Sequence, residues 1–230
     1  MRLDPLAALF AELGRLRDLT RLECELRARG FTRIAGVDEA GRGSLAGPVV
    51  AAAVILPDAC VLPGLDDSKL LDAEARERLD REIRRIAIAF AVGVVEAVAI
   101  DAGDILRASL EAMRKAVIAL APAPEALLVD AVRVPGVKLP QVAVIHGDAL
   151  SASIAAASIV AKVYRDGLLD ELARRHPAYG FDQHKGYGTP EHWVALRQSG
   201  PCPEHRLTYR GVVPEAGDAP FGSRTARRRG

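Results

Sequence analysis

Short apolar segments that stop at an aspartate constrain the fold of this chain more than any other feature of its sequence. Residues 33–37 lead to Asp38, residues 127–129 lead to Asp130, and residues 142–145 stop just before Gly147 and Asp148. Apolar runs of this length are typical of buried strands. Residues 49–56 and 86–95 form two further runs of this kind. The sequence therefore predicts a sheet with acids at the ends of its strands.

Segments with helical features follow these strands. Residues 104–120 carry apolar side chains at helical spacing, and the alanines at 155–157 would let a long helix over 151–175 pack closely on a sheet. Asp72 and Thr189, the latter directly before Pro190, stand where helix caps are expected. Three early strands in succession favour an antiparallel start. We therefore expect an α/β fold, with a mixed sheet flanked by helices.

The two ends of the chain differ from its middle. Residues 1–32 are expected to form an amphipathic helical extension, and residues 214–230, rich in glycine, proline and arginine, are expected to be disordered. Residues 33–213 would then form one domain, because 230 residues of which 50% are hydrophobic suffice for a single core. The apolar positions of the extension are Leu6, Leu9, Phe10, Leu13, Leu16 and Leu19.

Charge and cysteine content narrow the class of protein. A formal net charge of +1 provides no overall attraction to polyanions, so any nucleic acid would have to be held by a local patch. Cys24, Cys60 and Cys202 show neither the paired spacing of a zinc site nor the density of a disulfide scaffold. Acids and arginines interrupt the N-terminal segment, which argues against a signal peptide or a membrane span. We expect a cytoplasmic monomer without membrane contact.

The acids favour a site for divalent metal ions. A single aspartate after a strand is usually a turn former or a helix cap. Asp38, Asp130 and Asp148, with Glu39 beside the first, would converge at one edge of the sheet. Hard cations such as Mg²⁺ bind oxygen ligands, and carboxylates shared between two ions offset the repulsion between them. This pattern predicts two-metal phosphodiester chemistry.

Other site chemistries fit the sequence poorly. The histidines lack the close helical spacing of a zinc-binding pair. Ser44 lies in GRGSLAG, which lacks the glycines that flank a nucleophilic serine, and the same stretch lacks the lysine of a phosphate-binding loop.

The chain closely resembles bacterial ribonuclease HII from about Arg33 to Val212. The matching blocks are GVDEAGRGSLAGPVVAAAVIL at 36–56, DSKLL at 67–71, LLVDA at 127–131, GDALSASIAAASIVAKVYRD at 147–166, YGFDQHKGYGT at 179–189 and EHRLTY at 204–209. The resemblance implies a ribonuclease H-like mixed sheet with a C-terminal helical segment, and Mg²⁺ or Mn²⁺ as cofactor. The implied substrates are RNA–DNA hybrids and duplex DNA containing ribonucleotides. The enzyme would cut on the 5′ side of the ribonucleotide, leaving 5′-phosphate and 3′-hydroxyl ends.

The resemblance also implies roles for individual residues. Asp38, Glu39, Asp130 and Asp148 match the family's catalytic acids. Gly41, Arg42 and Gly43 match a loop that contacts the ribose 2′-hydroxyl largely through its backbone, and Tyr187 matches a tyrosine that packs on the sugar beside the cut. Basic residues that could contact phosphate are Lys69, Lys162, Arg165, Lys185 and Arg206, and the arginines of the tail could add affinity.

Two departures and several alternatives remain. The family pattern has lysine where His146 stands and glycine where Ala131 stands. A ribonuclease HIII would resemble this family, but it carries an N-terminal binding domain for which the first thirty or so residues are too few. A non-catalytic nucleic-acid-binding module would have lost at least one acid. A structure-selective DNA resolvase of related fold would have no use for a loop that reads the 2′-hydroxyl.

Overall fold

A five-stranded mixed sheet with the order β3-β2-β1-β4-β5 forms the centre of the molecule. The computed structural model describes residues 4–213, so the predicted disorder of 214–230 lies outside the described residues. The strands are β1 (Ile34–Ala40), β2 (Val49–Ile55), β3 (Ala89–Val95), β4 (Ala126–Asp130) and β5 (Gln141–Val144). The expected antiparallel start is confirmed, because β1 pairs with β2 and β2 with β3 in opposite directions.

The second half of the sheet is parallel, and its register brings two of the acids together. β4 pairs in parallel with both β1 and β5, and Val37 lies opposite Val129. The next residues along these two strands are Asp38 and Asp130. Parallel neighbours therefore place the acids side by side.

Helices cover both faces of the sheet. They are α1 (Pro5–Leu19), α2 (Arg21–Ala28), α3 (Ala73–Ile86), α4 (Ala97–Asp101), α5 (Ile105–Ile118), α6 (Ala152–Arg175), α7 (Phe181–His184) and α8 (Pro190–Ser199). The expected caps form, since Asp72 accepts a hydrogen bond from the N–H of Ala75 and Thr189 accepts one from that of His192. α4 and α7 are short and have no counterpart in the expected elements.

Small residues let α6 and α5 pack directly onto the strands. A Cβ at Gly36 would lie 1.9 Å from the carbonyl carbon of Ser153 in α6. On the other face, a Cβ at Gly93 would lie 2.0 Å from the carbonyl oxygen of Ala112 in α5. β2 is buried along its whole length. This is the pattern of a strand covered on both sides.

The N-terminal extension is helical but is not one helix. It breaks at Thr20 between α1 and α2. Leu16 and Leu19 are buried, whereas Leu6, Leu9 and Phe10 are exposed, so the regular apolar spacing overstated how much of α1 packs on the core. Glu23 of α2 is buried and accepts hydrogen bonds from the side chains of residues 151 and 153 at the start of α6. No helix within residues 4–213 is long and apolar enough to cross a membrane.

Candidate active site

Adjacent parts of the sheet carry the predicted acids. Asp130 is the last residue of β4, and Asp148 lies in a short 3-10 helix, Gly147–Ala149, after β5. Asp38 lies inside β1, which continues to Ala40 along β2, so the expectation that the first strand ends at Asp38 is wrong. The register still brings Asp38 to the point where β1 separates from β4, because their pairing stops at residues 37 and 129.

Burial and like charge both act on the first two acids. Asp38 is only 4% exposed. Burial raises the pKa of Asp38 well above its ordinary value, and the charges of Glu39 and Asp130 raise it further. A hydrogen bond with Ser158 of α6 opposes this rise. Burial also raises the pKa of Glu39, although Arg42 partly offsets the effect.

The protein's own groups hold the other two acids in place. Asp130 accepts a hydrogen bond of 2.8 Å from the backbone N–H of Gly147. Asp148 accepts one of 3.0 Å from Nζ of Lys69. Ala131, directly after Asp130, and His146, two residues before Asp148, are in the left-handed region with φ of 53° and 56°. Both departures from the family pattern therefore lie in strained turns beside the acids.

The donor set fits a hard divalent cation. Within residues 4–213, no three His, Cys, Asp or Glu side chains already point together as a complete ion-binding group. Cationic side chains hold two of the acids instead, since Lys69 contacts Asp148 and Nη1 of Arg42 lies 3.2 Å from Oε1 of Glu39. The charges of Glu39 and Asp130 raise the pKa of Asp38, and a cation between these carboxylates would remove that repulsion. Oxygen ligands of this kind suit Mg²⁺ or Mn²⁺.

The two glycines of the loop at 41–43 serve different needs. Gly41 has φ of +92°, and a Cβ there would lie 2.0 Å from Nε of Arg165. Packing therefore requires glycine at 41. A Cβ at Gly43 would meet no protein atom within 4 Å, and its φ is not in the left-handed region. The fold itself therefore does not require glycine at 43.

Tyr187 has two cationic side chains near its ring, and one of them, Arg165, also packs against Gly41. The residue is 37% exposed. Nζ of Lys162 and Cζ of Arg165 each lie 5.6 Å from the ring centroid. The preceding Gly186 has φ of +79°, and a Cβ there would lie 2.6 Å from the carbonyl oxygen of Ala46. Close backbone contact thus fixes the residue before the tyrosine against Ala46, which follows the glycine loop in the chain.

The predicted phosphate contacts have different environments. Arg206 is fully buried and donates to the backbone carbonyls of Arg42 and Gly47, so the structure contradicts a phosphate contact for it. The same holds for Arg165, which is also fully buried and donates to the carbonyls of Pro48, Lys185 and Ala46.

The lysines remain candidates for phosphate contacts. Lys69 is 76% exposed in its side chain and lies beside the acids. Lys162 and Lys185 are ion-paired with Asp166 and Asp170, respectively. Their role with phosphate stays a prediction.

Sequence reasoning missed the groups that support the site from behind. Ser158 hydrogen-bonds to Asp38, and its Oγ lies 2.8 Å from that of Ser68. Tyr209 donates to the carbonyl of Arg42 at 2.7 Å. His192 and His205 lie in contact beneath Tyr187. The signal for Ser158 was a polar residue in the alanine-rich part of α6, where every neighbour is apolar.

Comparison with known proteins identifies the family and the fold. A profile of the ribonuclease HII family matches residues 35–212. A ribonuclease HII from Geobacillus kaustophilus (strain HTA426) is 58% identical over 198 residues, which cover 86% of this chain and 76% of that protein. The crystal structure of ribonuclease H2 from Pyrococcus horikoshii OT3 has a TM-score of 0.67 and 27% identity, covering 77% of this chain and 94% of that one.

A more distant solved structure extends the likeness in fold. Bst ribonuclease HIII in complex with Mn²⁺ has a TM-score of 0.59 and 21% identity, covering 77% of this chain and 67% of that one. The mixed sheet with its flanking helices is therefore the fold of the ribonucleases H, enzymes that depend on metal ions and act as endonucleases on RNA–DNA hybrids. The chain itself belongs to the ribonuclease HII family.

Proposed function

We propose that this ribonuclease H hydrolyses the RNA strand of RNA–DNA hybrids and also cuts on the 5′ side of ribonucleotides embedded in duplex DNA. Asp38, Glu39, Asp130 and Asp148 would hold two divalent ions, Mg²⁺ or Mn²⁺. When bound, such ions supply hydroxide from water and stabilise the departing 3′-oxygen. The products would carry 5′-phosphate and 3′-hydroxyl ends. A cytoplasmic monomer remains part of this proposal.

The protein's own residues have distinct tasks in this proposal. Asp38 and Glu39 come from one strand, so a rigid backbone spaces two of the ligands. Lys69 brings a positive charge next to Asp148, where it can approach the phosphate of the bound strand. Partial burial lowers the pKa of Lys69, but the bond to Asp148 and the charges of Asp67 and Asp38 outweigh this and raise it. The lysine therefore stays charged at neutral pH.

The glycine loop and Tyr187 would recognise the ribonucleotide. The 2′-hydroxyl both donates and accepts hydrogen bonds, and backbone groups can approach it closely where no side chain intervenes. The open space around Gly43 is the observation that carries this part of the proposal, since nothing in the protein occupies it. Tyr187 would pack its exposed ring face on the sugar 3′ of the ribonucleotide, where a second 2′-hydroxyl would crowd it.

Mapping the cut on a DNA duplex that contains one ribonucleotide tests the proposal. We expect a single cut on the 5′ side of that nucleotide, dependent on Mg²⁺ or Mn²⁺ and abolished by EDTA. The matched control has 2′-deoxyribose or 2′-O-methylribose at the same position and should resist cleavage. Equal cleavage of the deoxy duplex would exclude recognition of the 2′-hydroxyl. An all-DNA junction serves as the substrate of the alternative resolvase and should remain intact.

A further inference from the structure

Three histidines lie close together beneath Tyr187, outside the set of acids. His184 and His192 stack with ring centroids 4.2 Å apart, and Nε2 of His192 lies 3.1 Å from Nε2 of His205. All three are buried, and His192 and His205 are at most 1% exposed. Neither the resemblance nor the proposed chemistry gives these residues a task.

The hydrogen-bond partners fix which nitrogen of each ring carries a proton. Nδ1 of His205 lies 3.0 Å from the backbone N–H of Cys202, which can only donate, so this nitrogen accepts and Nε2 carries the hydrogen. Nδ1 of His192 lies 2.9 Å from the carbonyl oxygen of Tyr187, which can only accept, so here Nδ1 carries the hydrogen. The remaining contact then runs from Nε2–H of His205 to the lone pair on Nε2 of His192.

This chain of hydrogen bonds has a direction and an end point. It starts at the backbone of Cys202, passes through His205 and His192, and ends on the carbonyl of Tyr187. The same carbonyl accepts a second hydrogen bond of 2.8 Å from the N–H of Thr189 at the start of α8. The backbone of Tyr187 is therefore held from two sides, while its ring projects toward the cations of α6 and toward solvent.

The residue after His205 holds the other recognition element. Arg206 donates from Nη1 to the carbonyl of Arg42 at 2.8 Å, and from Nε and Nη2 to the carbonyl of Gly47. The backbone N–H of Arg206 donates to Leu45, and that of Leu45 donates to Gly186. The segment at 205–206 thus contacts the glycine loop directly and Tyr187 through His192.

We propose that His205 and His192 are positioning residues that set the location of Tyr187 relative to the glycine loop, and so govern the preference for an RNA-to-DNA junction. This inference rests on the proposed role of Tyr187 in reading the sugar. It assigns the histidines no contact with substrate or metal. Their loss should change the choice between substrates more than the chemical step.

The chain of hydrogen bonds through His205 and His192 requires both rings to be neutral. An added proton on His192 would place two N–H groups against each other at the contact with His205. Burial lowers the pKa of both His192 and His205 to about 4, and for His205 the neighbouring His192 lowers it further. This chain of hydrogen bonds is therefore intact at neutral pH.

A pair of variants of equal polarity at one position tests the inference. The side-chain amide of His205→Gln can place its N–H near the position of Nε2 and keep the bond to His192. His205→Asn reaches Cys202 but is too short for His192. The measured quantity is the ratio of kcat/KM on a duplex with one ribonucleotide to kcat/KM on a uniform RNA–DNA hybrid.

We expect His205→Asn to lower that ratio by roughly threefold to tenfold, the range for loss of one hydrogen bond. His205→Gln should stay within about twofold of the parent, on the same scale. Thermal unfolding of both variants shows whether they fold. If both variants lose stability and activity on the two substrates equally, the histidines are merely structural and the inference is overturned. Should His205→Asn fail to fold, His192→Asn, which keeps a donor to Tyr187, is compared with His192→Gln, which does not.

Combination with Tyr187→Ala separates this inference from the proposed function. In the Tyr187→Ala background, His205→Asn should cause no further change in the ratio, because the group it positions is gone. If Tyr187→Ala itself leaves the ratio unchanged, the proposed role of the tyrosine is wrong and the inference falls with it. If Tyr187→Ala changes the ratio but His205→Asn does not, only the positioning role of the histidines is overturned.

Discussion

The acids and the elements proposed to read the sugar are held in place by different means. Strand register places Asp38 and Asp130 side by side, and main-chain spacing puts Glu39 next to the first. The glycine loop and Tyr187 belong to no strand or long helix. Buried side chains support them: Arg206 donates to the carbonyl of Arg42 in the loop, and Arg165 donates to that of Lys185, two residues before Tyr187. The first region concentrates unfavourable negative charge, whereas long-range hydrogen bonds from buried arginines support the second. We therefore expect activity and stability to respond differently to mutations in the two regions.

The largest effect is expected from Asp38→Asn or Asp130→Asn. Loss of a metal ligand should lower turnover by roughly three or more orders of magnitude, because it removes nucleophile generation and charge stabilisation together. The measurement is single-turnover cleavage with Mg²⁺ or Mn²⁺, beside duplex binding, which should survive. Asp72→Asn removes the same charge from a helix cap that asparagine also forms, and it should be nearly as active as the parent. Similar turnover in Asp38→Asn and Asp72→Asn would contradict the assignment of Asp38 as a metal ligand.

Asp38→Asn should also stabilise the metal-free protein. The folded-state pKa of Asp38 is raised, so the folded protein binds more protons than the unfolded chain between the ordinary value of 3.8 and the raised one. Stability from this group is therefore present below 3.8 and lost as pH rises through the folded pKa. We expect Asp38→Asn to raise the melting temperature at pH 7 without metal, and to lose this advantage toward pH 3. A lower melting temperature at pH 7 would mean that the ionised acid is well solvated.

Tyr187→Ala should have the next largest effect. Loss of stacking on the sugar, taken as roughly 1 to 3 kcal/mol by analogy with base stacking, should slow cleavage at a single ribonucleotide by about tenfold to a hundredfold. Tyr187→Phe keeps the ring and should retain most of the activity. Rates on a uniform hybrid provide the contrast, and an equal loss on both substrates would show that the tyrosine only positions the duplex.

The two glycines of the loop sharpen the contrast within one region. Gly43→Ala should leave the free energy of unfolding within about 0.5 kcal/mol of the parent and lower kcat/KM at a ribonucleotide by roughly tenfold. Gly41→Ala should lower stability by more than 1 kcal/mol or so, because its Cβ would collide with Arg165 in a left-handed backbone. Urea unfolding and cleavage assays on both variants measure the two effects. Full activity in Gly43→Ala would remove the argument that substrate approaches there.

The smallest effect is expected at Ala131. Its φ of 53° is unfavourable for a residue with a Cβ. Ala131→Gly should therefore stabilise the protein by up to about 1 kcal/mol, the cost of the left-handed conformation less the greater freedom of glycine in the unfolded chain. Chemical denaturation measures this gain, and turnover should change by less than about twofold, on the usual free-energy scale of rates. A loss of stability would show that the turn at Ala131 is not strained.

The acids could be predicted from sequence because their positions depend on local pattern. An apolar run followed by an acid specifies both a strand and the place where it ends to within a few residues. Asp38 lies inside its strand rather than at its end, but it is still placed beside Asp130, as predicted. Caps such as Asp72 are local in the same sense.

The support of the glycine loop and Tyr187 could not be predicted, for a physical reason. Arg165 and Arg206 were expected to contact phosphate, because a basic side chain in sequence carries no sign of whether it is buried. Apart from Lys185, the residues whose backbone carbonyls they contact lie 117 to 164 positions away in the chain, and a backbone carbonyl has no side-chain signature. The break between α1 and α2 at Thr20 was missed likewise, because apolar spacing continues through it.

Buried guanidinium groups also determine how ionic strength should act on this enzyme. Salt screens exposed charges strongly and buried ones weakly. Lys69, with a side chain 76% exposed, can be screened, and affinity for the duplex should fall as salt rises, as it does wherever phosphates are neutralised by surface cations. Arg165 and Arg206 are shielded by the protein that surrounds them, so the spacing of the glycine loop and Tyr187 should not change with salt. Concentrated salt should therefore lower the affinity for the duplex and leave the position of cleavage unchanged.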